Sequence, residues 1–176
     1  NNGDKIGILG PNGTGKSTLL RILAGKEEAD AGQVKINGNV PLSYLSQSPD
    51  MQNSHSVLEQ VLSALPKEGR EIHEYEAKTM LTRLGLSNFT QKIETLSGGQ
   101  KKRVALAAAL LHPADILILD EPTNHLDIDM INWLEEYLSH FTGGLIMVTH
   151  DRYFLNRVVN RITELDHGSL YSYEAN

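Results

Sequence analysis

The segment GPNGTGKST, residues 10–18, constrains this chain more than any other. It fits the spacing G-x-x-x-x-G-K-[ST] and sits between an apolar run, KIGIL at 5–9, and STLLRILAG, where Leu19, Leu20, Ile22 and Leu23 share one helical face. The order is strand, loop, helix. In such a loop Gly10, Gly13 and Gly15 let the backbone curl until successive N–H groups point at an anion. The positive end of a helix beginning near Lys16 adds to that field. Lys16 reaches the outer phosphates as a point charge, Ser17 offers a hydroxyl to Mg²⁺, and Thr18 is a backbone donor beside the α-phosphate. Pro11, Asn12 and Thr14 complete the curl.

Further along, apolar strands alternate with helical periodicity. Gln33–Asn37 and Val40–Leu45 read as two strands around the hairpin dipeptide Asn37-Gly38. From Ser56 to Leu86 the pattern is helical with a break at Pro66. A helix over 98–112 stops before Pro113, and strand 116–119, helix 128–139, strand 145–149, helix 152–156 and a hairpin turning at 166–168 follow. This alternation predicts an α/β fold, a mostly parallel sheet flanked by helices, with a small all-helical insert.

ILILDE places Asp120 and Glu121 directly after an apolar strand. Acids ending a strand are commonplace, but beside a phosphate loop they gain chemistry: Asp120 as a Mg²⁺ partner, Glu121 to orient or deprotonate an attacking water. Strand alternation predicts that the two point to opposite sides. An ordinary glutamate, with a pKa near 4.3, is ionised at neutral pH and a weak base, so positioning carries most of the work. Gln47 and His150 end two other strands, and in open α/β sheets such loops gather around one crevice. Gln47 either ligates Mg²⁺ or holds the lytic water, and His150 reaches a γ-phosphate oxygen.

Composition narrows the partners. The 176 residues contain no cysteine, which removes disulfides and thiolate metal sites, and carry a formal charge of −6, which argues against a nucleic-acid-coating surface. Any RNA contact is expected outside this segment. No apolar run approaches the roughly 18 residues that span a bilayer, so no direct membrane contact and a cytoplasmic location are expected. The start, directly into a strand, reads as a cut from something longer.

LSGGQ, at Leu96, Ser97, Gly98, Gly99 and Gln100, opens the long helix with two poor helix formers. A capping box accounts for Ser97 and Gln100 but leaves both glycines unexplained. Glycine permits close backbone approach, and a bare helix start with a serine hydroxyl suits an anion. The chain's own phosphate loop already holds one nucleotide. This second site therefore suits the nucleotide of another copy, with two domains enclosing two nucleotides. Lys101, Lys102 and Arg103 read as a solvated helix face.

Over its full length the sequence resembles the ATP-binding-cassette superfamily: the phosphate loop, Gln47, LSGGQ, the acidic strand, NHLD at Asn124, His125, Leu126 and Asp127, and His150. The resemblance implies a P-loop ATPase core at 1–50 and 113–176, a helical subdomain at about 51–112, and ATP and Mg²⁺ as ligands. It also implies head-to-tail pairing with a second cassette, in which Ser97, Gly98 and Gly99 contact the partner's γ-phosphate and Asp127 couples the sites. An adenine-stacking aromatic would lie upstream of Asn1. EPTNHLD and the segment from Thr149 onward are most similar to a first cassette of the ABC-F branch, implying action on the ribosome and tRNA through regions outside this segment. The alternative is the nucleotide-binding subunit of a membrane transporter.

Overall fold

Residues 3–174, the part of the chain that the computed structural model describes, hold six strands and six α-helices. They run β1 (Lys5–Leu9), α1 (Lys16–Leu23), β2 (Leu42–Leu45), α2 (Val57–Ser63), α3 (Glu74–Arg83), α4 (Gly98–Leu111), β3 (Ile116–Asp120), α5 (Ile128–His140), β4 (Gly144–Val148), α6 (Arg152–Val158), β5 (Arg161–Asp166) and β6 (Ser169–Glu174). The chain divides into two compact units. One comprises Asn1–Gln47, Ala114–Thr123 and Glu135–Asn176, the other Ser48–Pro113 and Asn124–Leu134.

The first unit is a sheet ordered β2-β3-β4-β1-β5-β6, parallel except for β6. β1 alternates its faces. Ile8 joins Leu20 of α1 with Ile118, Val148 and Leu165 in a buried cluster, while a Cβ on Gly7 would meet the Leu155 side chain of α6 at 2.4 Å. Helices therefore cover both faces, as a parallel sheet requires. Lys5 Nζ donates to the carbonyls of Leu138 (2.8 Å) and Ser139 (2.9 Å), placing a cation at the negative end of α5. The terminal hairpin forms where expected, with His167 (φ +46°) and Gly168 (φ +75°) giving the doubly left-handed turn that suits a two-residue loop.

The second expected hairpin does not form. Asn37-Gly38 does turn, with Gly38 at φ +76°, but residues 33–37 join no strand and β2 takes its ladder from β3, in parallel. A turn dipeptide fixes a local bend, not a partner. Val34 and Ile36, the apolar side of that stretch, are each 43% exposed and bury too little to hold a strand in place.

In the second unit α2, α3 and α4 pack on one another. α4 is buried on most of its circumference, through Val104, Ala105, Leu106, Ala107, Ala109, Leu110 and Leu111, which is why its central position outweighs a weak amphipathic pattern. Ser56 caps α2 in a reciprocal box with Glu59. Arg103 departs from the solvated face expected of it: half-buried, its Nη1 donates to the Leu84 carbonyl at 2.8 Å, at the end of α3. Lys101 and Lys102 are half-buried as well.

Candidate functional site

Because β2, β3, β4 and β1 are parallel neighbours, the loops leaving their carboxyl ends gather along one edge of the first unit. A cleft of about 340 Å³ opens there, lined by Asn12, Gly13 and Lys16–Thr18 of the phosphate loop with Gln47, Asp120, Glu121 and His150. Side chains from four separate sequence stretches thus meet in one place.

The loop has the shape its spacing predicts. Gly13 (φ +79°) and Gly15 (φ +92°) adopt left-handed backbones, and Gly15 precedes α1 with no side chain capping that helix. Its first N–H groups therefore aim at the cleft as ready donors for an anion. A Cβ on Gly10 would lie 2.4 Å from the Leu165 carbonyl oxygen, so backbone-to-backbone contact requires glycine there. Thr14 Oγ1 donates to the Pro11 carbonyl at 2.8 Å and braces the curl. Lys16, only 8% exposed, donates to the carbonyls of Gly10 (2.7 Å) and Pro11 (2.8 Å). Thr18 Oγ1 accepts a bond from Arg21, which in turn pairs with Glu27.

Asp120 and Glu121 line the same cleft, contrary to the opposite facing that strand alternation predicts. Glu121 lies just past β3 with φ +52°, a left-handed backbone rare for a glutamate, which breaks the alternation. Its N–H donates to the Val148 carbonyl (2.8 Å), locking the turn against β4. Its carboxylate accepts the His150 backbone N–H at 3.2 Å and lies 3.1 Å from His150 Nε2. Nor does Glu121 behave as an ordinary glutamate: burial pushes its pKa up and the nearby Asp120 charge adds to the rise, while the His150 bonds and Lys16 offset part of it. It is a better proton acceptor than its sequence suggests. Thr149, buried after β4, pairs with the Thr123 hydroxyl at 3.2 Å and accepts the Asp151 N–H, so the turn carrying His150 is tied down. Hydroxyls at this spacing gave no sequence signal.

Ligand fit follows from these donors. Bare helix N–H groups and Lys16 suit a polyphosphate. Ser17 and Asp120 supply hard oxygen donors of the kind Mg²⁺ takes, and no group of three or more acidic or imidazole side chains among the described residues could hold a metal by itself. A cation shared with phosphate oxygens meets both conditions.

LSGGQ lies in the second unit. Ser97 and Gln100 form the expected box: Ser97 Oγ accepts the Gln100 N–H at 3.2 Å, and Gln100 Oε1 accepts the Ser97 N–H at 2.9 Å. The two glycines differ. Around Gly98 a Cβ would find no atom within 4 Å, whereas on Gly99 it would lie 3.2–3.3 Å from the His125 side chain. A side chain at position 99 would therefore crowd His125 within its own unit, while position 98 is open. Leu96 is buried beneath this turn. Of the NHLD stretch, Asn124, His125 and Asp127 are exposed and Leu126 is half-buried. Asp127 Oδ1 accepts the Met130 N–H at 2.9 Å and so stands at the head of α5.

The family model described as ABC transporter matches residues 1–124. The chain belongs to the ABC transporter family. Its cassette is similar to the uncharacterized ABC transporter ATP-binding protein YfmR of Bacillus subtilis, at 44% identity over 98% of this chain and 33% of that protein. It is also similar to the energy-dependent translational throttle protein EttA of Escherichia coli K12 (38%, over 99% and 38%) and to the ATP-binding protein Uup of Buchnera aphidicola (38%, over 98% and 30%). EttA and Uup belong to the ABC-F branch. The cassette spans about a third of the length of these relatives. Among solved structures it overlays the ATP-binding cassette MJ0796, a dimer in a post-hydrolysis state bound to ADP and Pi, with TM-score 0.84 at 25% identity over all of this chain and 87% of that one. The match confirms the P-loop ATPase fold. No helix among the described residues is long and apolar enough to cross a membrane.

Proposed function

We propose that this ABC ATPase cassette hydrolyses ATP within an ABC-F type protein acting on the ribosome in the cytoplasm. Turnover requires head-to-tail pairing with a second cassette. The observation that carries the ATPase reading is the buried Glu121 carboxylate, braced by His150 and sharing one cleft with Lys16 and Ser17. Gly10 to Thr18 cradle the phosphates, with Lys16 leaving its two carbonyl partners for the outer phosphate charge. Mg²⁺ held by Ser17 and Asp120, with Gln47 nearby, would neutralise charge on the phosphate oxygens. Glu121 accepts the proton of the attacking water, and His150 keeps that carboxylate aimed while reaching the γ-phosphate. Ser97, Gly98 and Gly99 grip the nucleotide of the paired cassette, with Asp127 coupling the sites. In this reading residues 1–50 and 113–176 form the ATPase core and about 51–112 the helical subdomain.

Similarity to EttA, whose name describes a translational throttle, supports the ribosomal assignment. So does a structure of archaeal ribosome recycling factor aABCE1 with ribosomal stalk protein aP1, at 32% identity and TM-score 0.77. The formal charge of −6 supports a reading in which tRNA and ribosome contacts lie in other regions of the protein. YfmR's name favours a second reading, the nucleotide-binding subunit of a transporter. Co-sedimentation of the intact protein separates them. With Glu121→Gln, turnover should fall by about 10²–10⁴ and the protein should stay on ribosomes with ATP but not ADP. Copurification with a membrane subunit, without nucleotide-dependent ribosome binding, would instead favour the transporter.

A further inference from the structure

Two turns carry the acidic end of the cleft. One leaves β3 through Glu121, Pro122 and Thr123, and the other leaves β4 through Thr149, His150 and Asp151. Both belong to the first unit. The β3 turn does not hold itself: Glu121 sits at φ +52° directly before a proline, which steers the residue ahead of it towards extended backbone. Such a conformation persists only where its surroundings fix it. Three contacts with the β4 side do so. The Glu121 N–H donates to the Val148 carbonyl (2.8 Å), the Glu121 carboxylate accepts the His150 N–H (3.2 Å), and the Thr123 and Thr149 hydroxyls pair at 3.2 Å. Thr149 Oγ1 also accepts the Asp151 N–H at 3.1 Å. Two consecutive amides of the β4 turn are therefore each held by a side chain, the first by Glu121 and the second by Thr149. With Thr149 only 2% exposed, little water can replace a partner that its hydroxyl loses.

We infer that the Thr123–Thr149 hydroxyl pair is a positioning device for hydrolysis, fixing the β3 turn against the β4 turn so that the Glu121 carboxylate and His150 keep their mutual aim. The inference rests on the proposed role of Glu121 as acceptor of the water's proton. Neither threonine lines the cleft. Loss of a hydroxyl therefore leaves the phosphate-binding groups in place and shows in kcat, not in KM. Valine keeps the branched shape at either position and removes the bond, whereas serine keeps the hydroxyl.

The test is a set of threonine variants of the intact protein, read by steady-state kinetics with ATP and by amide hydrogen exchange without nucleotide. Thr149→Val should lower kcat about tenfold with KM within about twofold, a smaller loss than the roughly 10²-fold that a 1 Å misplacement can cause. Exchange of the amides at 150 and 151 should quicken by at least about tenfold as the turn loosens. Thr149→Ser should stay within about twofold of the native protein in kcat. Thr123→Val, which spares the Asp151 bond, should lower kcat about threefold and add almost nothing to Thr149→Val, because both remove one contact. A native kcat in folded Thr149→Val, or a serine variant as impaired as the valine one, overturns the positioning role. If Thr149→Val does not fold, Thr123→Val decides, and native kcat and exchange there overturn it. Unchanged exchange in Thr149→Val overturns the hydroxyl contact by itself, whereas turnover that survives Glu121→Gln overturns the role given to that carboxylate.

Discussion

Glu121 is held where a carboxylate is least comfortable, nearly buried, in a left-handed turn and beside Asp120. Burial raises its pKa in the folded protein, with Asp120 adding to the rise. By linkage, such a group favours the fold at pH below the ordinary carboxylate range, and that contribution is lost as pH rises through its elevated folded value. Glu121→Gln, neutral and of nearly the same shape, should therefore melt higher than the native protein without nucleotide at neutral pH, and the gap should close towards about pH 4. Thermal melts across that range check this; a gap that widens on acidification would mean the fold stabilises the carboxylate. Sequence named Glu121 from its place after an apolar strand. It could not show the elevated pKa, because the turn that buries the carboxylate is held against Val148 of β4, distant in sequence.

Elements were legible where periodicity and local chemistry agreed. α1, α4 and the terminal hairpin formed as their patterns predicted, since capping residues, Pro113 and the His167-Gly168 turn act over a few residues. The strand at 33–37 failed because pairing is decided by neighbours and not by the turn. α4 was recognisable as a helix, but the weight it carries was not. With Leu106 only 1% exposed among α2 and α3, Leu106→Ala should cost about 2–5 kcal/mol, read by denaturant unfolding of the intact protein. A loss below about 1 kcal/mol would mean the helical unit repacks freely. Lys5 at the end of α5 was also invisible in sequence, since its partners lie 133 and 134 residues away.

At the scale of the whole molecule, the proposed reading divides the chemistry between the cleft of the first unit and a signature turn supplied by a second cassette. Lys16, Ser17, Asp120 and His150 converge through strand order, foreseeable once the sheet was read as parallel, whereas Glu121 joins them through its left-handed turn. The exposed Ser97–Gly98 turn belongs to the second unit, and in the proposed pairing it engages the nucleotide of a second cassette. The most direct measurement pairs nucleotide affinity with steady-state turnover for Ser97→Phe in the intact protein. Affinity of the phosphate loop for ATP should stay within about twofold while kcat falls by at least about 10², the scale expected when a phosphate-stabilising group is removed. Unchanged kcat, with native affinity, would contradict the pairing on which the account depends.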